Sequence, residues 1–146
     1  MLTWQVRALA QARLGRPLLA EPDCEQAQKL APHDPLTHEC WGELYLARGQ
    51  YDTAVASFEK ALQAEADATR YFSLGLAYLL AGQYEKGVHL AETGLRDAND
   101  SDRQTAQQEL AHRLRHHHER LQTAEAQAAL QTIQQQFENA TTPGNT

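Results

Sequence analysis

The stretch Trp41-Gly42-Glu43-Leu44-Tyr45 recurs as Leu74-Gly75-Leu76-Ala77-Tyr78, and Gly49-Gln50-Tyr51-Asp52 recurs as Gly82-Gln83-Tyr84-Glu85. Both recurrences are offset by 33 residues (41 to 74, 49 to 82), and two separate motifs sharing one offset mark an internal repeat. In the first copy, Leu36, Cys40, Trp41, Leu44 and Tyr45 fall at helical spacing. Gly49 then ends the helix, where glycine readily takes the left-handed conformation. Asp52 is placed to cap a second helix with apolar positions Ala54, Val55, Phe58, Ala61 and Leu62. The second copy repeats the scheme with Tyr71, Leu74 and Tyr78, then Gly82, then Val88, Ala91 and Leu95.

These residues resemble tetratricopeptide repeats (TPR), which set a large residue beside a glycine, an aromatic three residues on, and Ala and Phe in the second helix. Residues 35–67 carry the pattern nearly whole, with Trp41, Gly42, Tyr45, Gly49, Tyr51, Ala54, Phe58 and Ala61, but Ala66 in place of the closing proline. Residues 68–100 match in the first helix and depart in the second, with Gly87 for the Ala, Ala91 for the Phe and Gly94 for the later Ala. Residues 1–34 are a degenerate copy that keeps Trp4, Ala8, Gly15, Ala20, Ala27 and Pro32, with Gln11 and Cys24 in the aromatic and Phe slots. Pro17 and Pro22 predict a late start for its second helix. On helix propensity, Gly87 and Gly94 should each cost about 1 kcal/mol relative to alanine. The resemblance implies an all-α TPR-type helical-repeat solenoid. About three helix pairs would fill residues 1–100, because a single pair cannot bury its own apolar face.

Residues 101–138 read as a C-terminal capping helix or helix pair, and residues 139–146 as a disordered tail. Ser101-Asp102-Arg103-Gln104 resembles a capping box, and no Gly or Pro follows until after Phe137. Leu110, Leu114, Leu121, Ala124 and Ala128 form one apolar stripe, whereas Ala126, Leu130, Ile133 and Phe137 form another. At about 100° per residue the two stripes point in nearly opposite directions. That predicts a break near Gln122–Ala124, folding the halves into an antiparallel pair over the third repeat. The alternative is one continuous helix whose distal half packs on a second molecule, giving a homodimer.

Composition narrows the function. The 146 residues are 42% hydrophobic with a formal net charge of -6, which disfavours nucleic acid and anionic membrane as partners. No run approaches the roughly 18 apolar residues needed to insert into a bilayer, and the N-terminus does not read as a signal peptide. Cys24 and Cys40 read as buried thiols in a reducing compartment, hence a cytoplasmic location. Organised sequence begins at residue 1, which is compatible with an anchor on a longer parent chain.

There is no nucleophile motif, phosphate loop, zinc-finger spacing or HExxH, so neither an enzyme nor a cofactor is expected. The one weak metal candidate is His112 with His116, which share a helix face at i, i+4. That face lies opposite the leucine stripe and is expected to be solvated.

In the family resembled, the first helix of each pair lines a concave groove. Register carries that role to Leu9, Glu39, Glu43, Leu46, Phe72, Leu76 and Leu79 as partner-binding residues. Some family members grip a terminal carboxylate with Lys, Asn and Arg, but Gln5, Leu9, Glu43, Phe72 and Leu76 stand at those positions, so that clamp does not carry over. Tyr71 through Leu80 is apolar nearly all round and must be covered on two sides. The expected function is a non-enzymatic protein–protein interaction module, an adaptor or assembly factor binding an apolar or amphipathic segment of a protein or peptide. The competing expectation is a structural or self-inhibited spacer whose groove is filled by Ala126–Phe137 of its own or a neighbouring chain.

Overall fold

The computed structural model describes residues 3–141, which form helices and turns throughout. The chain divides into two compact units, residues 1–66 and 67–146.

The first unit holds α1 (Trp4–Arg13), α2 (Pro17–Leu30), α3 (Pro35–Ala47) and α4 (Tyr51–Ala64). Its core gathers Ala8, Leu9, Ala12, Ala20, Cys24, Cys40 and Leu44, with Leu36 and Trp41 packed against it. Small residues set the helix spacing. A Cβ added at Gly42 would lie 2.8 Å from the Phe58 ring, so α4 lays that ring directly on the α3 backbone. This contact is the physical basis of the glycine and phenylalanine in the sequence pattern.

The turn between the helices of a pair is the same device each time. Gly49 has φ +75°; its N–H donates to Leu46 O at 3.0 Å, and Gln50 N–H donates to Tyr45 O at 2.9 Å. Gly82, at φ +86°, repeats these bonds to Leu79 O and, through Gln83, to Tyr78 O. Gly15 does likewise with Ala12 O, while Arg16 N–H reaches Gln11 O. These are Schellman closures, which an L side chain would strain at the glycine.

Three local expectations need correction. The second helix of the first pair does not start late: Pro17 is its first residue, and Pro22 lies inside it. Pro22 is tolerated because the carbonyl it leaves unpaired belongs to Leu18, 82% exposed in the first turn, where water can reach it. Asp52 does not cap α4; Gln50 is the cap residue, and Asp52 sits within the first turn, where its charge meets the helix dipole. Asn99 rather than Ser101 caps the helix after the third pair, its side chain accepting from Asp102 N–H at 2.8 Å.

The second unit holds α5 (Ala68–Leu80), α6 (Tyr84–Asp97), α7 (Asp100–His116), a 3-10 turn (His118–Leu121) and α8 (Ala124–Thr141). Asp67 caps α5, accepting from Arg70 N–H at 2.8 Å and from the Arg70 guanidinium at 2.8 Å. The helices α5 and α6 approach closely at glycines. A Cβ at Gly87 would lie 2.8 Å from Gly75 O and 2.8 Å from Leu79 Cγ. The propensity cost of Gly87 in α6 is therefore offset, because its missing side chain is what lets the two backbones meet.

The C-terminal segment breaks between α7 and α8, and Thr123 caps α8 by accepting from Ala126 N–H at 3.1 Å. The two halves do not pack chiefly on each other. The helix α8 lies on α6, burying Ala126, Ala129, Leu130, Ile133 and Phe137, while α7 lies along α5. The reason is apolar supply: α8 carries a full apolar stripe, and α7 offers it little beyond Leu110 and Leu114. The helix also continues through Asn139, Ala140 and Thr141, which the tail assignment had placed outside it. No Gly or Pro interrupts the sequence between Ala124 and Thr141. The remainder of that tail, residues 142–146, lies outside the described residues.

Candidate functional site

In the second unit, Leu76 and Leu79 are buried and Phe72 is half-buried. They line one side of a partly open cavity of about 40 Å³, bordered also by Ala106, Leu110 and Arg113 of α7 and by Ile133 and Phe137 of α8. That volume suits water-sized occupants. Phe72 stacks on Phe137 with ring centroids 5.6 Å apart and planes at 28°. The α5, α6 and α8 walls carry no charge, since Ser73 and Thr69 are their polar side chains. Charge enters only from α7, where Arg113 is buried and its Nη2 lies 3.7 Å from Glu109 Oε2.

Two contacts fix the connection after α7. The Arg120 guanidinium donates to Leu80 O through Nε at 3.2 Å and Nη2 at 3.0 Å, occupying a carbonyl at the end of α5. Leu121 beside it is buried. Sequence spacing did not single out Arg120, because a residue outside any helical stripe gives no periodic signal.

In the first unit, Leu9, Glu39, Glu43 and Leu46 are all buried. The register that assigns them to an inner face is met by close packing of α1 beside α3. Polar links join these helices. Arg13 Nε donates to Glu43 Oε1 at 3.5 Å, and Gln5 Nε2 donates to Asp34 Oδ2 at 3.3 Å and to Thr37 Oγ1 at 3.4 Å. Cys40 Sγ donates to Gln5 O at 3.1 Å. Its thiol pKa is pushed well up, first by the hydrogen bond with Cys24 and then by burial. Burial also lowers the pKa of His38, with the Lys60 and His33 charges adding to the shift and Asp34 opposing it.

On the outer side of α1, Arg7 donates twice to the Asp23 carboxylate, at 2.7 Å each, and sits 4.9 Å over the Trp4 ring. Asp23 raises the Arg7 pKa by hydrogen bonding and by its charge.

His112 and His116 lie edge to face with centroids 4.8 Å apart. Among the described residues, no group of three or more His, Cys, Asp or Glu is placed to hold a metal ion.

Residues 42–67, spanning the Gly42–Phe58 contact and the Gly49 turn, match the family model described as "Tetratricopeptide repeat". The chain is an all-α, TPR-type helical repeat. It is 32% identical over 87 residues to "Tetratricopeptide repeat protein 37" of Xenopus laevis, covering 59% of this chain and 6% of that relative. It is 33% identical over 86 residues to "Superkiller complex protein 3" of Mus musculus, covering 58% of this chain and 6% of that relative. The chain thus spans a small fraction, 6%, of the length of each of these relatives. No helix among the described residues is long and apolar enough to cross a membrane.

Proposed function

We propose that this TPR chain is a non-enzymatic adaptor or assembly factor that binds an apolar or amphipathic segment of a partner protein. The observation that supports this best is the uncharged wall of α5, where Phe72, Leu76 and Leu79 form an apolar surface on the first helix of a repeat. Leu9, Glu39, Glu43 and Leu46 would be the corresponding positions in the first unit, where a Lys or Arg of the ligand would exchange for Arg13 on Glu43. The mouse relative is named for a complex, which agrees with a role in assembly. The test is capture of proteins from native extract by the whole chain and by a Leu76→Lys variant. Loss of specific capture with helicity retained by circular dichroism is expected; equal capture would sink the reading.

A second reading is favoured by the Phe72–Phe137 stack: the chain's own C-terminal helices serve as the cover, and the molecule is a self-inhibited spacer. Removing residues 124–146 separates the two. A folded product that gains partner binding supports self-inhibition, while loss of folding identifies α8 as a structural cap.

A further inference from the structure

We propose that α7 alone is the displaceable cover of the α5 surface, and that a basic amphipathic helix with aliphatic residues at i, i+4 and i+7 replaces it. This rests on the interaction-module reading and adds which element leaves and what enters.

The two C-terminal helices are held very differently. The helix α8 buries Leu130, Ile133, Phe137 and two alanines, so removing it would return large apolar area to water. Of the 17 residues of α7, Arg113 is the one that is buried. A helix that is polar nearly all round has little to hold it to an apolar wall.

The residues that α7 does present describe the ligand that would fit better. Ala106, Leu110 and Arg113 border the cavity at i, i+4 and i+7, the spacing of a single helix face. Leu110 suits an uncharged wall, Ala106 is small beside the cavity, and Arg113 brings a buried charge to it. A helix with an aliphatic side chain at all three positions fills that space and removes the buried guanidinium, leaving Glu109 at the partly exposed rim.

Charge sets the outer face of the incoming helix. Residues 100–121 hold four acidic side chains (Asp100, Asp102, Glu109, Glu119) and four arginines (Arg103, Arg113, Arg115, Arg120), hence no net charge. The rest of the second unit holds Asp67, Glu85, Glu92, Asp97, Glu125 and Glu138 against Arg70, Lys86 and Arg96, a balance of -3. Exchanging a neutral α7 for a basic helix is therefore electrostatically favourable. The strap stays continuous with α6 at one end and is held at the other by Arg120 on Leu80 O, so it can return when the ligand leaves.

The test uses the whole chain and a labelled synthetic peptide of residues 100–116. The peptide carries Ala106→Leu and Arg113→Leu on its inner face and Gln104→Lys, Gln108→Lys and Ala111→Lys on its outer face. Saturable binding is expected. In hydrogen exchange, the amides of residues 100–116 of the chain should lose protection while those of 124–141 keep theirs. Leu110→Asp in the chain loosens α7 without altering α5, α6 or α8, and should tighten peptide binding about tenfold by raising the open fraction. The proposal is overturned if neither chain binds the peptide while both remain helical. It is equally overturned if binding deprotects 124–141, or leaves 100–116 unchanged. Absence of peptide binding alongside loss of extract capture by Leu76→Lys removes only this inference. Equal capture by that variant removes the underlying reading.

Discussion

The carbonyl oxygen of Gly75 lies where a side chain at Gly87 would have to go, 2.8 Å from the Cβ position, so α5 and α6 meet backbone to backbone. Helix propensity alone makes Gly87→Ala stabilising by about 1 kcal/mol. Overpacking against a backbone atom and against Leu79 outweighs it, at about 1–3 kcal/mol. The expected result in urea denaturation is a net loss of about 1–2 kcal/mol. Gly94→Ala, whose Cβ would meet the Phe72 ring at 3.1 Å and Ala68 O at 3.2 Å, should be close to neutral.

Phe137 is 2% exposed and stacked on Phe72, so Phe137→Ala should cost about 3–5 kcal/mol of stability. Leu110 on α7 is only half-buried, and Leu110→Ala should cost less than about 1 kcal/mol. Equilibrium unfolding of both variants measures the contrast. Equal costs would mean that α7 and α8 are held with equal strength.

Stability should fall as pH drops below the ordinary histidine range, partly through His38. Its folded-state pKa is lowered, chiefly by burial, so its neutral form is the one the fold favours. The contribution is fully present above the unfolded value of about 6.5 and is lost as pH falls through the lower folded value. His38→Gln should flatten this slope in melting temperatures recorded between pH 7.5 and 5.

Cys40 should resist alkylation in the native state at pH 8 and react readily once unfolded. Its thiol is buried, donates to Gln5 O, and has a raised pKa, whereas alkylation needs the thiolate. Rapid native labelling followed by mass spectrometry would contradict the packing of α1, α2 and α3 around it.

The repeat was legible because backbone geometry demanded it. Gly49 and Gly82 occupy left-handed positions that other residues adopt at a cost, so identical turns left identical sequence marks. Periodicity could say that Leu9, Leu46 and Leu76 lie on apolar faces, but not whether a neighbouring helix or a ligand covers them. For the same reason, the opposed stripes of Leu110 and Ile133 revealed that the C-terminal segment breaks, yet not that α8 takes α6 as its main neighbour while α7 takes α5. The caps at Gln50 and Asn99 were missed because acidic and hydroxyl residues nearby offered equally plausible starts. The role of Arg120 was missed because hydrogen bonds to one distant carbonyl leave no periodic trace.

The glycines at 87 and 94 carry a lesson about divergence. The family match ends at residue 67, although the next helix pair closes its turn with the same bonds. Glycine where the pattern has alanine lets the α5 and α6 backbones meet at Gly75 and Gly87, and it also removes a residue that the pattern counts. A solenoid module can thus depart from its sequence pattern while the seam between its two helices stays closely packed.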